Sequence, residues 1–239
     1  SEPETLKMAK MGRELRARGI DVIDLSLGEP DFDTPDHIKQ AAKKAIDDNW
    51  SHYTPVPGYA DLREAICTKL KRDNNLDYKP ENIVASTGAK QTLANAILAL
   101  VDDGEEVIIP TPYWVTYSEL VKIARGKVVE VHTSLDSGFK ISPAQLEAAI
   151  TVKTKAFLFS SPCNPSGAVY NKEELAALAE VFRKHPEVFI ISDEIYEYIN
   201  FVGKHESIAQ FSDLKDRVVL INGLSKGFAM TGARRTSVR

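Results

Sequence analysis

The sequence predicts an α/β fold, a three-layer sandwich in which helices cover both faces of a mostly parallel β-sheet. Two observations support this class. From residue 83 onward, short β-branched apolar runs alternate with helical patterns, as expected for parallel strands joined by crossover helices. The 239 residues are 43% hydrophobic and 27% charged, which is the composition of an ordinary globular protein with a substantial core.

The region before residue 83 predicts three helices, at residues 34–49 and 61–73 and through Leu15, and a short extended run at residues 22–27. After it, β-branched apolar runs predict strands at residues 83–86, 106–110, 127–132, 155–160, 188–192 and 218–222. The crossover helices are predicted at residues 90–101, 117–124, 142–150 and 172–184. No linker rich in Gly or Ser divides the chain.

Two of these helices carry specific signals. At the start of 142–150, Ser142 is a capping residue and Gln145, three positions on, is its capping-box partner. Within 172–184, four apolar residues recur at helical spacing and predict one buried face. These residues are Leu175, Leu178, Ala179 and Phe182.

Charge and composition argue against several classes of partner. The net charge is −4 with both signs mixed along the chain, so no basic face for nucleic acid is expected. No apolar run approaches the roughly 18 residues of a membrane span, and the start lacks a secretory pattern, which predicts a cytoplasmic protein. Cys67 and Cys163 lie far apart in the sequence and predict neither a disulfide nor a metal cluster.

Chemically useful side chains follow the predicted strands. Ligands of an open parallel sheet gather at the carboxyl ends of its strands, so these residues should converge on one rim. They are Gly88, Ala89 and Lys90 after the first strand, Trp114 after the second, Asn164 after the fourth, Asp193 and Tyr196 after the fifth, and Ser225 and Lys226 after the sixth. Such a set suits an aldehyde cofactor with a pyridine ring and a phosphate.

Each residue type has a chemical reason to be there. A lysine amine condenses with an aldehyde, and an acid beside a pyridine nitrogen keeps that nitrogen protonated. Free N–H groups at a helix start can hold a phosphate. Each signal also has an ordinary alternative: Lys226 as a solvated side chain, Asp193 as a helix cap, and Trp114 and Tyr196 as packing residues.

Several motifs together resemble the aspartate-aminotransferase-like class I aminotransferases, which have fold type I and use pyridoxal phosphate. The motifs are LSLGEPDFDTP, YTPVPGYADLREAI, STGAKQTL, PTPYWVTY, SSPCNPSG, SDEIYE and NGLSKGFAMTGAR. The resemblance implies that Lys226 forms the Schiff base with the cofactor and that Asp193 pairs with its ring nitrogen. It also implies that Asn164 and Tyr196 bind the ring hydroxyl and that Trp114 stacks on the ring.

The resemblance assigns the remaining contacts as well. The phosphate would be held by the backbone of Gly88 and Ala89, by Arg234, and by Tyr53 from a neighbouring subunit of a homodimer, with Ser225 and Lys90 completing the cofactor site. The substrate would contact Trp114, Asn164 and Gly28, and Lys90 would bind its distal carboxylate. Lys226, Asp193 and Tyr196 would be the catalytic residues.

The resemblance also implies a domain division and a difference at the C-terminus. Residues 1–34 would form an N-terminal arm and part of the small domain, and residues 35–239 the large cofactor-binding domain. The family continues as TGWR, whereas this chain reads TGARRTSVR. We therefore expect the smaller C-terminal domain, with its arginine for the substrate α-carboxylate, to be largely missing and the chain to be truncated.

The function predicted from these residues is transfer of an amino group from an amino acid, with aspartate as a candidate, to a 2-oxo acid. Two alternatives remain open: a C–S β-lyase that uses the same cofactor, and an inactive fragment that only binds it. A nicotinamide-binding Rossmann domain is less well supported, because no GxGxxG motif opens a helix after any predicted strand.

Overall fold

A computed structural model describes residues 4–23 and 28–233. Its centre is a five-stranded sheet in which every neighbouring pair of strands is parallel, in the order β2-β1-β3-β4-β5. The strands are β1 (Glu106–Thr111), β2 (Lys127–His132), β3 (Thr154–Ser160), β4 (Phe189–Asp193) and β5 (Val218–Ile221). The predicted parallel sheet is therefore confirmed.

Seven α-helices surround or precede the sheet. They are α1 (Glu4–Ala17), α2 (Asp36–Asp47), α3 (Ala60–Asn74), α4 (Ala89–Leu100), α5 (Thr116–Ile123), α6 (Pro143–Ala149) and α7 (Lys172–Lys184) among the described residues. The predicted cap of α6 is confirmed, because the Ser142 side chain accepts a hydrogen bond from the Gln145 N–H.

Two apolar clusters, one on each face of the sheet, produce the three layers. Successive residues of a strand point to opposite faces, and in β1 Val107 and Ile109 pack with α4 and α5, whereas Ile108 packs with α6 and α7. The four apolar residues predicted for one face of α7 are all buried in the cluster that contains Ile108. The three-layer arrangement is thus confirmed.

The strand predicted at residues 83–86 is wrong. This segment joins no sheet in the described part of the chain. The Ala85 N–H donates instead to the Pro57 carbonyl at 3.0 Å, so the segment pairs with the loop before α3. The extended run predicted at residues 22–27 lies largely outside the described residues.

Residues 4–23 and 28–233 contain neither a membrane-spanning helix nor a metal-binding cluster. None of the helices there combines the length and the hydropathy that a bilayer span requires. No group of three or more His, Cys, Asp or Glu side chains in that part of the chain is arranged to hold a metal ion.

Candidate active site

The carboxyl ends of four adjacent strands bring together most of the side chains predicted from the sequence. Asp193 is the last residue of β4, and its neighbours in register are Ser160 at the end of β3 and Ile221 at the end of β5. The loops that follow β1, β3, β4 and β5 carry, respectively, Trp114, Asn164, Tyr196 and Lys226. The prediction of a single rim at this edge therefore agrees with the topology.

Asp193 is a buried acid held by neutral hydrogen-bond donors. Its residue is 2% exposed, one carboxylate oxygen accepts the Tyr117 hydroxyl at 2.7 Å, and the other accepts the Ile195 N–H at 3.2 Å. Burial raises the pKa of Asp193 to about 6, and these two hydrogen bonds act in the opposite direction. The site therefore contains a carboxylate whose charge is poorly solvated.

The neighbouring acid, Glu194, belongs to a different environment. Its carboxylate accepts hydrogen bonds from Ser192 at 2.9 Å and Ser207 at 2.7 Å, and it contacts the His205 ring at 2.7 Å. These contacts provide a polar partner for each oxygen of the buried Glu194 carboxylate. Of the three acids in SDEIYE, Asp193, Glu194 and Glu197, the one in hydrogen-bond contact with Tyr117 is Asp193.

Tyr196 and Asn164 meet across the rim beside Gly28. The Asn164 amide donates to the Tyr196 hydroxyl at 3.4 Å. A Cβ placed on Gly28 would lie 3.4 Å from that hydroxyl and 3.9 Å from the Asn164 amide nitrogen, so the Gly28 backbone lies against both side chains. Burial raises the pKa of the Tyr196 phenol.

Lys226 reaches the same place from the turn after β5. Its Nζ donates to the Gly28 carbonyl at 2.5 Å and lies 5.8 Å from the centroid of the Tyr196 ring. The preceding residue, Ser225, is buried, and its carbonyl accepts the Met230 N–H at 3.0 Å. The amine is therefore placed beside Tyr196, Asn164 and Gly28.

The start of α4 lies next to the aromatic residues of the rim. Gly88 precedes the helix and has a φ of 85°, a backbone conformation that residues other than glycine rarely adopt. Ala89 and Lys90 are the first two helical residues, whose N–H groups have no partner within the helix. The Lys90 Nζ lies 5.0 Å from the centroid of the Trp114 ring.

One predicted site residue, Tyr53, is not brought to this rim, and a second, Arg234, is not among the described residues. The Tyr53 side chain is fully exposed in the segment between α2 and α3, and none of the hydrogen bonds or ring contacts found in residues 4–23 and 28–233 joins it to the rim. Arg234 lies outside the described residues. The roles of both residues stay predictions.

Sequence reasoning missed Tyr117. Its ring is 1% exposed and contacts the Trp114 ring edge-on, with centroids 5.7 Å apart, while its hydroxyl reaches Asp193. The available signal was a phenol on the buried face of α5, directly after the strand end that carries Trp114. In the sequence, Tyr117 contributes only to the pattern that predicts the helix at residues 117–124.

Known proteins of related sequence are aminotransferases. The family model of aminotransferase class I and II matches residues 20–236. An aspartate/prephenate aminotransferase of Cereibacter sphaeroides is 50% identical over 233 residues, which is 97% of this chain and 58% of that protein. An aspartate aminotransferase of Bacillus subtilis is 51% identical over 232 residues, which is 96% of this chain and 59% of that protein.

Solved structures agree with the sequence comparison. The aspartate aminotransferase of Rhizobium meliloti superposes with a TM-score of 0.92 at 44% identity, over 98% of this chain and 59% of that one. The Thermus thermophilus aspartate aminotransferase with maleate gives a TM-score of 0.92 at 43% identity, over 98% of this chain and 60% of that one.

These relatives are longer than the chain. The chain spans between 58% and 60% of the length of the four proteins named above. The match nevertheless includes the whole sheet and every rim residue described here, since the family model extends from residue 20 to residue 236. The chain belongs to the aminotransferase class I and II family.

Proposed function

We propose that the protein transfers an amino group from an amino acid to a 2-oxo acid with pyridoxal 5′-phosphate as its cofactor. The observation that carries this proposal is the buried Asp193 carboxylate at the same rim as the amine of Lys226. Among the described residues, the hydrogen-bond donors to that carboxylate are the Tyr117 hydroxyl and the Ile195 N–H, both neutral. A protonated pyridine nitrogen would supply the positive charge that a buried carboxylate requires.

The chemistry divides between the cofactor and the protein. Pyridoxal phosphate supplies an aldehyde that condenses with amines and a pyridinium ring that withdraws electrons from the carbon bearing the amine. Asp193 would hold a proton on the ring nitrogen. Lys226 would provide the amine that holds the aldehyde and would also move a proton to and from the substrate Cα. Its place beside Gly28 and Tyr196 supports this role.

Asn164, Tyr196 and Trp114 would orient the ring. An amide nitrogen and a phenol that already lie 3.4 Å apart can both donate to one ring hydroxyl. Trp114 is half-buried and packs on Tyr117, which in turn contacts Asp193, so an indole face is available beside the acid. These three side chains fix the ring by hydrogen bonds and stacking and leave the amine of Lys226 free to change partners.

The phosphate would lie at the start of α4. The N–H groups of Ala89 and Lys90 and the positive end of the helix favour an anion there. The positive φ of Gly88, which glycine adopts without strain, brings the backbone into this turn without a side chain. Ser225 and, by its motif, Arg234 would complete the phosphate contacts.

Aspartate is the amino donor that we propose. Relatives from two bacteria carry aspartate in their names, and the Thermus thermophilus structure is described as containing maleate, a dicarboxylate. In this chain, Lys90 places an exposed ammonium group beside Trp114, where it could bind a distal carboxylate. Gly28, Asn164 and Trp114 would form the rest of the substrate contacts.

We also propose that the protein is a homodimer. Tyr53, which the motif YTPVPGY assigns to the phosphate of a neighbouring subunit, is fully exposed, and so is Val56 three residues later. Trp50 is 53% exposed in the same segment. An exposed apolar segment of this kind is typical of a protein–protein interface.

A labelled amino donor distinguishes this function from its alternatives. With ¹⁵N-aspartate and an unlabelled 2-oxo acid, an aminotransferase places ¹⁵N in the new amino acid, and Lys226→Ala abolishes the transfer. A C–S β-lyase instead releases ammonium from an S-alkyl cysteine. The relatives named above favour the first outcome. A protein that carries the cofactor on Lys226 but neither transfers ¹⁵N from aspartate nor releases ammonium from the S-alkyl cysteine would be the inactive fragment.

A further inference from the structure

Glu197 forms a buried junction close to the proposed site, yet none of the roles assigned above uses it. Its side chain is 5% exposed. One carboxylate oxygen accepts the Asn74 amide at 2.7 Å, and the other accepts the Lys69 ammonium and, at 2.5 Å, the Asn222 amide. Three donors from two separate parts of the chain therefore converge on a single carboxylate.

Asn222 connects the Glu197 carboxylate to the loop that carries Lys226. Asn222 follows β5 and lies four residues before Lys226. While its amide nitrogen donates to Glu197, its side-chain oxygen accepts the Gly223 N–H at 2.7 Å. The Asn222 side chain thus ties the first turn of the lysine loop, defined here as residues 222–228, to the carboxylate of Glu197.

Tyr198 holds the other end of the lysine loop. A Cβ on Gly227 would lie 2.9 Å from the Tyr198 ring, so only glycine allows this close approach. The same ring contacts Phe228 edge-on with centroids 5.4 Å apart, and its hydroxyl donates to Asp73 at 2.6 Å. Contacts of two consecutive residues, Glu197 and Tyr198, therefore fall on either side of Lys226.

The same turn carries Tyr196. The Glu197 N–H donates to the Glu194 carbonyl at 3.0 Å, and the Ile199 N–H donates to the Tyr196 carbonyl at 2.8 Å. A single hydrogen-bonded turn therefore presents Tyr196 to the rim and Glu197 to the lysine loop. Movement of the Glu197 side chain would alter the distance between the Lys226 amine and the Tyr196 phenol.

We propose that Glu197 is a positioning residue that sets the place of the Lys226 amine through Asn222, a role that rests on the proposed function. The charge of Glu197 is matched by Lys69, whose side chain is 22% exposed, so the pair is largely buried. Removing one member of such a pair leaves the other uncompensated. A lysine displaced by even one ångström loses a large factor in rate.

The rate at which Lys226 captures pyridoxal phosphate tests this role without any turnover. Timed samples of protein and cofactor are reduced with borohydride, and the pyridoxyl group is quantified on Lys226 and on the exposed Lys43, which serves as an internal reference. We expect Glu197→Gln and Asn222→Ala to slow capture at Lys226 relative to Lys43 by about tenfold or more. Glu173→Gln, the same change at an exposed position of α7, should leave the ratio unchanged.

Exchanging the two partners separates positioning from general loss of structure. In the double variant Glu197→Gln with Asn222→Asp, an amide again donates to a carboxylate, and we expect capture to recover most of its rate. Circular dichroism establishes that each variant is folded, and Asn222→Ala decides the matter if Glu197→Gln does not fold. Capture at the wild-type rate in the folded single variants, or a double variant as slow as either, would overturn the proposal. Absence of the pyridoxyl group from Lys226 in the unaltered protein would instead contradict the proposed function.

Discussion

The Tyr117 hydroxyl donates a 2.7 Å hydrogen bond to the carboxylate of Asp193, and both residues are almost completely buried. The two residues are 76 positions apart in sequence, one on α5 and the other at the end of β4. The hydrogen bond stabilises the charged form of Asp193 and so lowers its pKa, whereas burial, the larger effect, raises that pKa to about 6. Tyr117 therefore adjusts the acid on which the proposed electron withdrawal depends.

Tyr117→Phe should raise the pKa of Asp193 further. A hydrogen bond to a charged group is worth about 1.5 kcal/mol, which corresponds to roughly one pH unit. The ¹³C shift of the Asp193 carboxyl group, followed against pH in cofactor-free protein, measures the change. Tyr170→Phe is the matched control, since Tyr170 is also buried but its hydroxyl accepts the Ile141 N–H. An Asp193 midpoint unchanged by Tyr117→Phe would show that this hydrogen bond does not tune the acid.

Asp193→Asn should stabilise the cofactor-free protein at neutral pH. Since each pKa unit is worth about 1.4 kcal/mol, a rise from 3.8 to about 6 corresponds to a cost of about 3 kcal/mol for burying the ionised acid. The folded state binds this proton more tightly than the unfolded chain does. The contribution of Asp193 is therefore most favourable below about pH 4 and is lost as the pH rises through about 6.

Urea unfolding at two pH values measures this effect. At pH 7.5 the free energy of unfolding of Asp193→Asn should exceed that of the unaltered protein by up to about 3 kcal/mol, and the gap should narrow toward pH 4. Asp136→Asn, at an exposed position, should show no gap. A gap that stays constant with pH would mean that burial of the Asp193 charge is not its cause.

Gly88→Ala should weaken binding of the phosphate in particular. At a φ of 85° a Cβ is strained by about 1–3 kcal/mol, so the start of α4 must shift. We expect the affinity for pyridoxal phosphate to fall by about tenfold, since a tenfold change corresponds to 1.4 kcal/mol, and the affinity for pyridoxal, which lacks the phosphate, to stay unchanged. Gly104→Ala provides the control, because Gly104 has a φ of 80° in the turn before β1, at the opposite edge of the sheet. Equal losses of affinity for pyridoxal phosphate and for pyridoxal would show that the phosphate does not bind at the start of α4.

Mixing two inactive variants tests whether Tyr53 acts across a dimer. Tyr53→Ala removes the proposed phosphate contact, and Lys226→Ala removes the amine. If Tyr53 serves the neighbouring subunit, a mixed dimer contains one intact site, formed by Lys226 of one chain and Tyr53 of the other. Tight cofactor binding should then reappear on mixing, and sedimentation should show a dimer at micromolar concentration. A monomer, or a mixture that binds no better than its components, would contradict shared sites.

The sequence allowed most of the fold and much of the rim to be predicted. Strands β1–β5 and the cap of α6 follow from local patterns, and parallel strands necessarily collect their carboxyl ends at one edge. The strand predicted at residues 83–86 was wrong because its apolar pattern does not reveal that Ala85 pairs with the loop at Pro57. The contacts of Tyr117 with Asp193 and of Glu197 with Asn222 join residues distant in sequence or on different loops, which no local pattern specifies.

The identity of the lysine that binds the cofactor tests the central claim most directly. The protein is saturated with pyridoxal phosphate, reduced with borohydride, digested and analysed by mass spectrometry. The account predicts one dominant pyridoxyl group, on the peptide that contains Lys226, and its loss in Lys226→Ala. A dominant pyridoxyl group on another lysine, or none on any peptide, would contradict the account.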